Sequence, residues 1–92
     1  MAEVLLALPE RLTLSEADQV LSRLEGEVSQ RAGAVVEIDA GPLQVFDSSA
    51  LAVLLELRRQ LLAKGQSLRV SRWPGRLEAL ASLYGVRELL AA

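Results

Sequence analysis

Val45-Phe46-Asp47-Ser48-Ser49-Ala50-Leu51-Ala52-Val53-Leu54-Leu55 is the stretch whose reading decides the fold. An apolar pair meets an acid and two small hydroxyl residues, and a leucine-rich run begins. Asp and Ser favour helix starts because their oxygens accept bonds from the otherwise unpaired N–H groups of the first turn. Asp47-Ser48-Ser49 therefore reads as a helix cap, with Ser48 as the capping residue. A helix mouth of this kind also stabilises anions and can meet a partner.

The helix should run from about Ser48 to Lys64, with Gly65 as a left-handed stop. At about 100° per residue, Leu51, Leu54, Leu55, Leu57, Leu61 and Leu62 fall on one broad side. Ser48, Ala52, Arg59 and Ala63 lie near its edge, with Ser49, Glu56 and Gln60 further round. Small side chains let another backbone come close, and charges can fix register, so this strip is a candidate docking face. An ordinary solvated face is the competing reading.

Working outward, Glu3 to Leu8 is an apolar run closed by Pro9, the pattern of a buried strand. Leu12-Thr13-Leu14 suits a brief extended piece. Ser15-Glu16-Ala17-Asp18 matches a capping box, and Ala17, Val20, Leu21, Leu24 and Val28 then form one helical stripe. Gly33 breaks the chain before the strand Ala34–Asp39, and Gly41-Pro42 turns toward Asp47. Beyond the main helix, Ser67–Ser71 reads as a strand and Pro74 opens a third helix. Its stripe is Leu77, Leu80, Ala81 and Tyr84, ended by Gly85. Residues 86–92 suit either a last helical turn or an extended piece. Strands alternating with helices imply parallel βαβ units. The expected fold is α/β, one domain over residues 1–92, a small mostly parallel sheet with amphipathic helices packed on it.

Composition narrows the function. Hydrophobic residues make up 51% of 92 positions, which suits a packed core, and Phe46, Trp73 and Tyr84 are the only aromatics. A net charge of −2 argues against a nucleic-acid surface, which needs clustered positive charge. Cysteine and histidine are absent, which removes thiolate chemistry, the commonest general base and the commonest zinc ligand. Asp39, Asp47, Ser48 and Ser49 could gather at the strand ends, but a serine nucleophile needs a base, and Lys64 lies at the far end of the helix. No catalytic residue, metal or cofactor is expected. No apolar run approaches the length of a spanning helix, about 18 residues, and Met1-Ala2-Glu3 begins nothing like a signal peptide. The cytoplasm is the expected location.

Asp47-Ser48-Ser49-Ala50-Leu51, preceded by a strand ending Ile38-Asp39, resembles the signature of STAS domains. That family's usual pattern is Asp-(Ser/Thr)-(Ser/Gly)-Gly-Leu, so Ser48 falls on its regulatory hydroxyl position and Ala50 replaces the usual Gly. The ending Ala81-Ser82-Leu83-Tyr84-Gly85-Val86 is similar to the MlaB-type STAS subunits of bacterial Mla phospholipid transporters. The first β-hairpin of the family looks trimmed to a strand and a turn.

The resemblance implies a regulatory subunit bound to the ATPase of an inner-membrane ABC transporter, meeting the membrane only through that complex. Nucleotide, lipid, nucleic acid and small-molecule substrates would not be its ligands. The ATPase would meet Asp47, Ser48, Ser49, Ala52, Glu56, Arg59, Trp73 and Tyr84. Trp73 reads equally as an exposed anchor or as a rim residue packed on the third helix, and Tyr84 as core with its hydroxyl at the surface. The alternative within the family is an anti-sigma-factor antagonist switched by phosphorylation of Ser48.

Overall fold

Three parallel strands and the two helices that connect them carry the fold. The structure, a computed structural model, describes residues 3–30 and 34–91. The expected break at Gly33 and the reading of Met1-Ala2 lie outside these. The chain runs β1 (Glu3–Ala7), β2 (Arg11–Leu12), α1 (Ala17–Ser29), β3 (Val35–Asp39), β4 (Val45–Phe46), α2 (Ser49–Ala63), β5 (Ser67–Ser71), α3 (Gly75–Leu83) and α4 (Arg87–Leu90). The parallel sheet has the order β1-β3-β5, with Val4, Val36 and Leu68 in register, and Leu6, Ile38 and Val70 two residues on.

That order explains which face is covered. Each crossover moves one strand in the same direction, and right-handed crossovers then put α1 and α2 on the same side, where they pack together. The six in-register residues just named point to that side and are buried. The other face stays open. Leu5 is exposed there, and Glu37 and Arg69 pair across β3 and β5 at 2.7 Å. The buried strand expected at Glu3–Leu8 is therefore buried on one face only, because among the described residues no helix covers the second.

Val20, Leu24 and Val28 of α1 meet Leu51, Leu54, Leu57 and Leu61 of α2 in the same core. Each fully buried leucine contributes about 1.5–3 kcal/mol relative to exposure. The buried side of α2 is rotated from the expected leucine arc. Leu55 is half-buried and Leu62 is 48% exposed, while Ala50 and Val53 on the opposite edge are buried.

Two features add to the expected plan. β2 and β4 form a two-residue parallel ladder, with Arg11 opposite Val45 and Leu12 opposite Phe46. Leu12 and Phe46 face the core, so Arg11 and Val45 face outward. The tail forms α4, whose Leu90 is fully buried. Gly65 (φ 76°) ends α2 and Gly85 (φ 72°) ends α3. In each case the following N–H bonds back to the helix, Gln66 to the Leu61 carbonyl and Val86 to the Ala81 carbonyl.

Candidate functional site

The mouth of α2 is held by Asp47. Its Oδ1 accepts the Ser49 N–H at 2.8 Å, and its Oδ2 accepts the Leu14 N–H at 3.2 Å from 33 residues away. These bonds, led by the Ser49 N–H, hold the Asp47 carboxyl below the usual carboxylate range against the opposing pull of desolvation. Ser48 stands at the cap position but its side chain makes no capping bond, which corrects the expectation that its hydroxyl caps the helix. Asp47 reaches the free N–H first, and Ser48 is left exposed.

The segment that meets Asp47 is itself braced. Glu16 Oε1 accepts the Thr13 N–H at 2.8 Å and the Thr13 hydroxyl at 2.7 Å, while Arg11 Nε donates to Glu16 Oε2 at 3.1 Å. Thr13 and Glu16 thus close a hydrogen-bonded box in the turn before α1, whose N-cap is Glu16 with no side-chain capping bond, so the capping box expected at Ser15–Asp18 does not form. The longer Glu side chain reaches back to its Thr N–H, and Asp18 forms no such bond to Ser15 among the described residues.

A clip fixes the loop that leads to Asp47. Arg72 donates from both sides of its fork to Asp39, at 2.8 and 2.7 Å, and the Gly41 N–H bonds Asp39 Oδ1 at 2.8 Å. The guanidinium lies so close over Gly41 that an added Cβ would sit 2.6 Å from its Cζ. Arg72 has a left-handed backbone (φ 53°), a costly state for a side-chain-bearing residue. The fork, and after it the Gly41 N–H, hold the Asp39 carboxyl below its ordinary range.

Along α2, Ser48, Ala52, Arg59 and Ala63 form an exposed strip, with Ser49, Glu56 and Gln60 half-buried beside it. The charges of this strip face one another. Arg59 Nε donates to Glu56 at 3.0 Å, and Gln60 bonds both Glu56 and Glu25 of α1. The Arg59 guanidinium, then the Gln60 amide, pulls the Glu56 carboxyl down to about 2.

Trp73 and Tyr84 stand apart from the mouth. The Trp73 indole N–H bonds the Val70 carbonyl at 3.1 Å, and Arg87 stacks on its ring at 4.7 Å. The ring is half-buried, and the two contacts join it to β5 and α4 rather than to the third helix. Tyr84 is 58% exposed, not core: it is the C-cap residue just past Leu83, where α3 has already ended. It lies about 12 Å along α3 from Arg76, whose guanidinium stacks on Phe46 beside the mouth. An open depression lined by Ser82, Gly85, Arg87 and Glu88 lies at the α3–α4 turn.

A family model described as "Mlab, STAS domain" matches residues 1–91. The chain belongs to the STAS-domain family. A crystal structure of a sulfate transporter family protein from Wolinella succinogenes superposes with a TM-score of 0.76. It is 19% identical, and the match covers 97% of this chain and 71% of that one, a likeness of fold. No curated protein matches the chain.

STAS domains generally serve protein interaction rather than catalysis, and the geometry here suits that use. Asp39 and Asp47 are both held as carboxylates by fixed donors, which makes them rigid acceptors and poor proton carriers near neutral pH. Among the described residues no helix is long and apolar enough to cross a membrane. Three parts of this STAS domain's site were not singled out from sequence: Leu14, the Thr13–Glu16 box and the Arg72 clip. The box had a signal, since Thr-x-x-Glu is itself the motif. Leu14 and Arg72 had none, because their partners are 33 residues away.

Proposed function

We propose that this chain is a non-catalytic STAS subunit that docks on the cytoplasmic ATPase of a phospholipid (Mla-type) ABC transporter and stabilises or regulates it. The observation that carries the reading is the mouth of α2, where a braced Asp47 presents the exposed Ser48–Ala52 strip. A docking surface gains when its groups are already fixed, because less freedom is lost on binding. The family description naming Mlab supports the choice of transporter. In this reading Asp47, Ser48, Ser49 and Ala52 touch the ATPase, and Glu56 and Arg59 lie at the rim as an internally neutralised pair. Trp73 and Tyr84 lie outside the first contact. The subunit is cytoplasmic and reaches the inner membrane only through the complex. It binds no nucleotide, lipid or nucleic acid of its own.

Tagged purification from the native host, with co-purifying proteins identified by mass spectrometry, tests this. An ABC ATPase with its permease is the expected catch. Ala52→Arg and Ser48→Asp should keep the circular dichroism spectrum and lose that catch, since each adds bulk or charge to the strip. Undiminished recovery by both would mean the strip faces water.

One observation favours a second reading within the family. The Ser48 side chain makes no capping bond and is exposed, so its hydroxyl is open to a kinase. A phosphate there would add about −1.5 to −2 charge beside the Asp47 carboxylate and would block docking, as in a partner-switching antagonist. Recovery of a serine kinase or sigma regulator instead of an ATPase would select it.

A further inference from the structure

We propose that Leu14 and Val45 form the apolar centre of the docking surface and receive a partner segment whose apolar side chain is flanked by lysine or arginine. The proposal rests on the docking reading for its location and goes beyond it in naming the chemistry of the partner's surface. Leu14 is 77% exposed and Val45 47%, in a chain that buries most of its leucines.

Both are held in place. The Leu14 N–H is tied to Asp47, and the Thr13–Glu16 box fixes the turn around it. Val45 points outward because its neighbour Phe46 points inward, and its N–H is anchored on the Glu10 carbonyl. Leu14 and Val45 thus flank Asp47 on braced backbone. Exposed leucines on a fixed backbone cost little to dock, since little order remains to be imposed.

Charge selects the occupant. Glu10 lies beside Val45, Asp47 beside Leu14, and Glu16 and Asp18 follow in the turn and first helical turn after Leu14. Against these four carboxylates stands Arg11, already bonded to Glu16. Arg76 stacks on Phe46, on the opposite side of β4 from Val45. Even with Arg76 counted, four carboxylates stand against two guanidiniums, so this corner is net negative. Nucleic acid and anionic lipid are repelled from it. A second copy docking here across a two-fold axis would set the acids against themselves. What remains is a cationic, apolar segment of another protein.

The test places a photo-crosslinking benzoylphenylalanine at position 14, 45, 52 or 83 of the full chain in its native host, with adduct peptides identified by mass spectrometry. Position 83 is the control, an exposed leucine site on the far end of α3. Adducts from 14 and 45, several-fold above those from 83, on a peptide with Lys or Arg beside an apolar residue are expected. The paired charge reversal Glu10→Lys with Asp18→Lys should reduce their yield several-fold. Absence of adducts from 14 and 45, adducts only to the chain itself or to lipid, a target peptide without basic residues, or yield indifferent to the charge reversal would each overturn the proposal. An ABC ATPase captured from position 52 but not from 14 sinks this inference and keeps the docking reading. A basic segment of some other protein captured from 14 does the reverse.

Discussion

The two ends of α2 are held by opposite means. At its far end the backbone closes on itself: Gly65 adopts φ 76°, its N–H bonds the Leu62 carbonyl and the Gln66 N–H bonds that of Leu61. These bonds join the last turn of the helix to Gly65 and Gln66 just beyond it. At its near end the Asp47 carboxylate joins the first turn to Leu14, and Arg72 clips the preceding loop through Asp39. A self-closed end is cheap to specify and carries little surface information. An end fixed from several segments holds side chains in a defined arrangement, which is what a docking surface requires.

The largest expected effect removes what the two ends share. Leu57 lies in mid-helix and is 1% exposed. Leu57→Ala should cost about 2–5 kcal/mol by loss of transfer energy and creation of a cavity. For a chain of this size that lowers the thermal midpoint by more than about 10 °C, read by circular dichroism. A shift of only a degree or two would mean that α2 is not the centre of the core.

The left-handed positions sharpen the contrast. Gly65→Ala forces a Cβ into φ 76° and should cost about 1–2 kcal/mol, although nothing crowds the site. Arg72→Gly should behave differently, holding the midpoint within a few degrees. Relief of the left-handed backbone opposes loss of the fork to Asp39. Amide exchange should nevertheless rise over residues 40–46 in the Arg72 variant and stay unchanged there in the Gly65 variant. Equal exchange in both would erase the distinction between the ends.

A smaller effect addresses the cap itself. Asp47→Ala should lower the midpoint by a few degrees, because it frees the Ser49 and Leu14 N–H groups together. Ser48→Ala should leave it unchanged, since no capping bond is lost. The reverse ranking would restore Ser48 as the cap.

Much of the scaffold could be read from the residues because the deciding signals are local. The stripe Val20-Leu24-Val28, the strands Val35–Asp39 and Ser67–Ser71, and the stops at Gly65 and Gly85 each rest on neighbours within a few positions. The parallel α/β architecture followed from their alternation. The site was legible only in outline. Asp47-Ser48-Ser49 marked the mouth, but the choice of Asp47 over Ser48 as the capping acceptor depends on the backbone conformation of the turn. Two Ser/Thr-x-x-acid patterns overlapped at residues 13–18; the longer reach of Glu16 closes the first as a turn, and neither caps α1. Tyr84 shared the helical spacing of Leu77 and Ala81, yet the helix ends there and leaves it outside. The exposure of Leu14 and Val45 and the Arg72 clip depend on contacts between distant segments, and spacing along the chain carries no trace of those.

The smallest expected effect concerns Glu56, midway between the two ends. Its carboxyl falls from an ordinary 4.5 to about 2 in the folded chain, chiefly through Arg59 and then Gln60. A depressed folded value means that the unfolded chain takes the proton first as pH falls. The pair's contribution is therefore full above about pH 5, declines below that, and is gone near about pH 2. Glu56→Gln should lower the urea midpoint slightly near pH 7 and make its acid limb shallower, so that the two proteins converge near about pH 2. Added salt should shrink the difference, because the pair is exposed and screened. Parallel acid limbs for the two proteins would mean that Glu56 and Arg59 are not engaged with each other in solution. Both charges would then be free for a partner, and the recognition surface would extend from the mouth down the whole strip of α2. A shallower limb in the variant keeps them paired, and leaves recognition to the braced end.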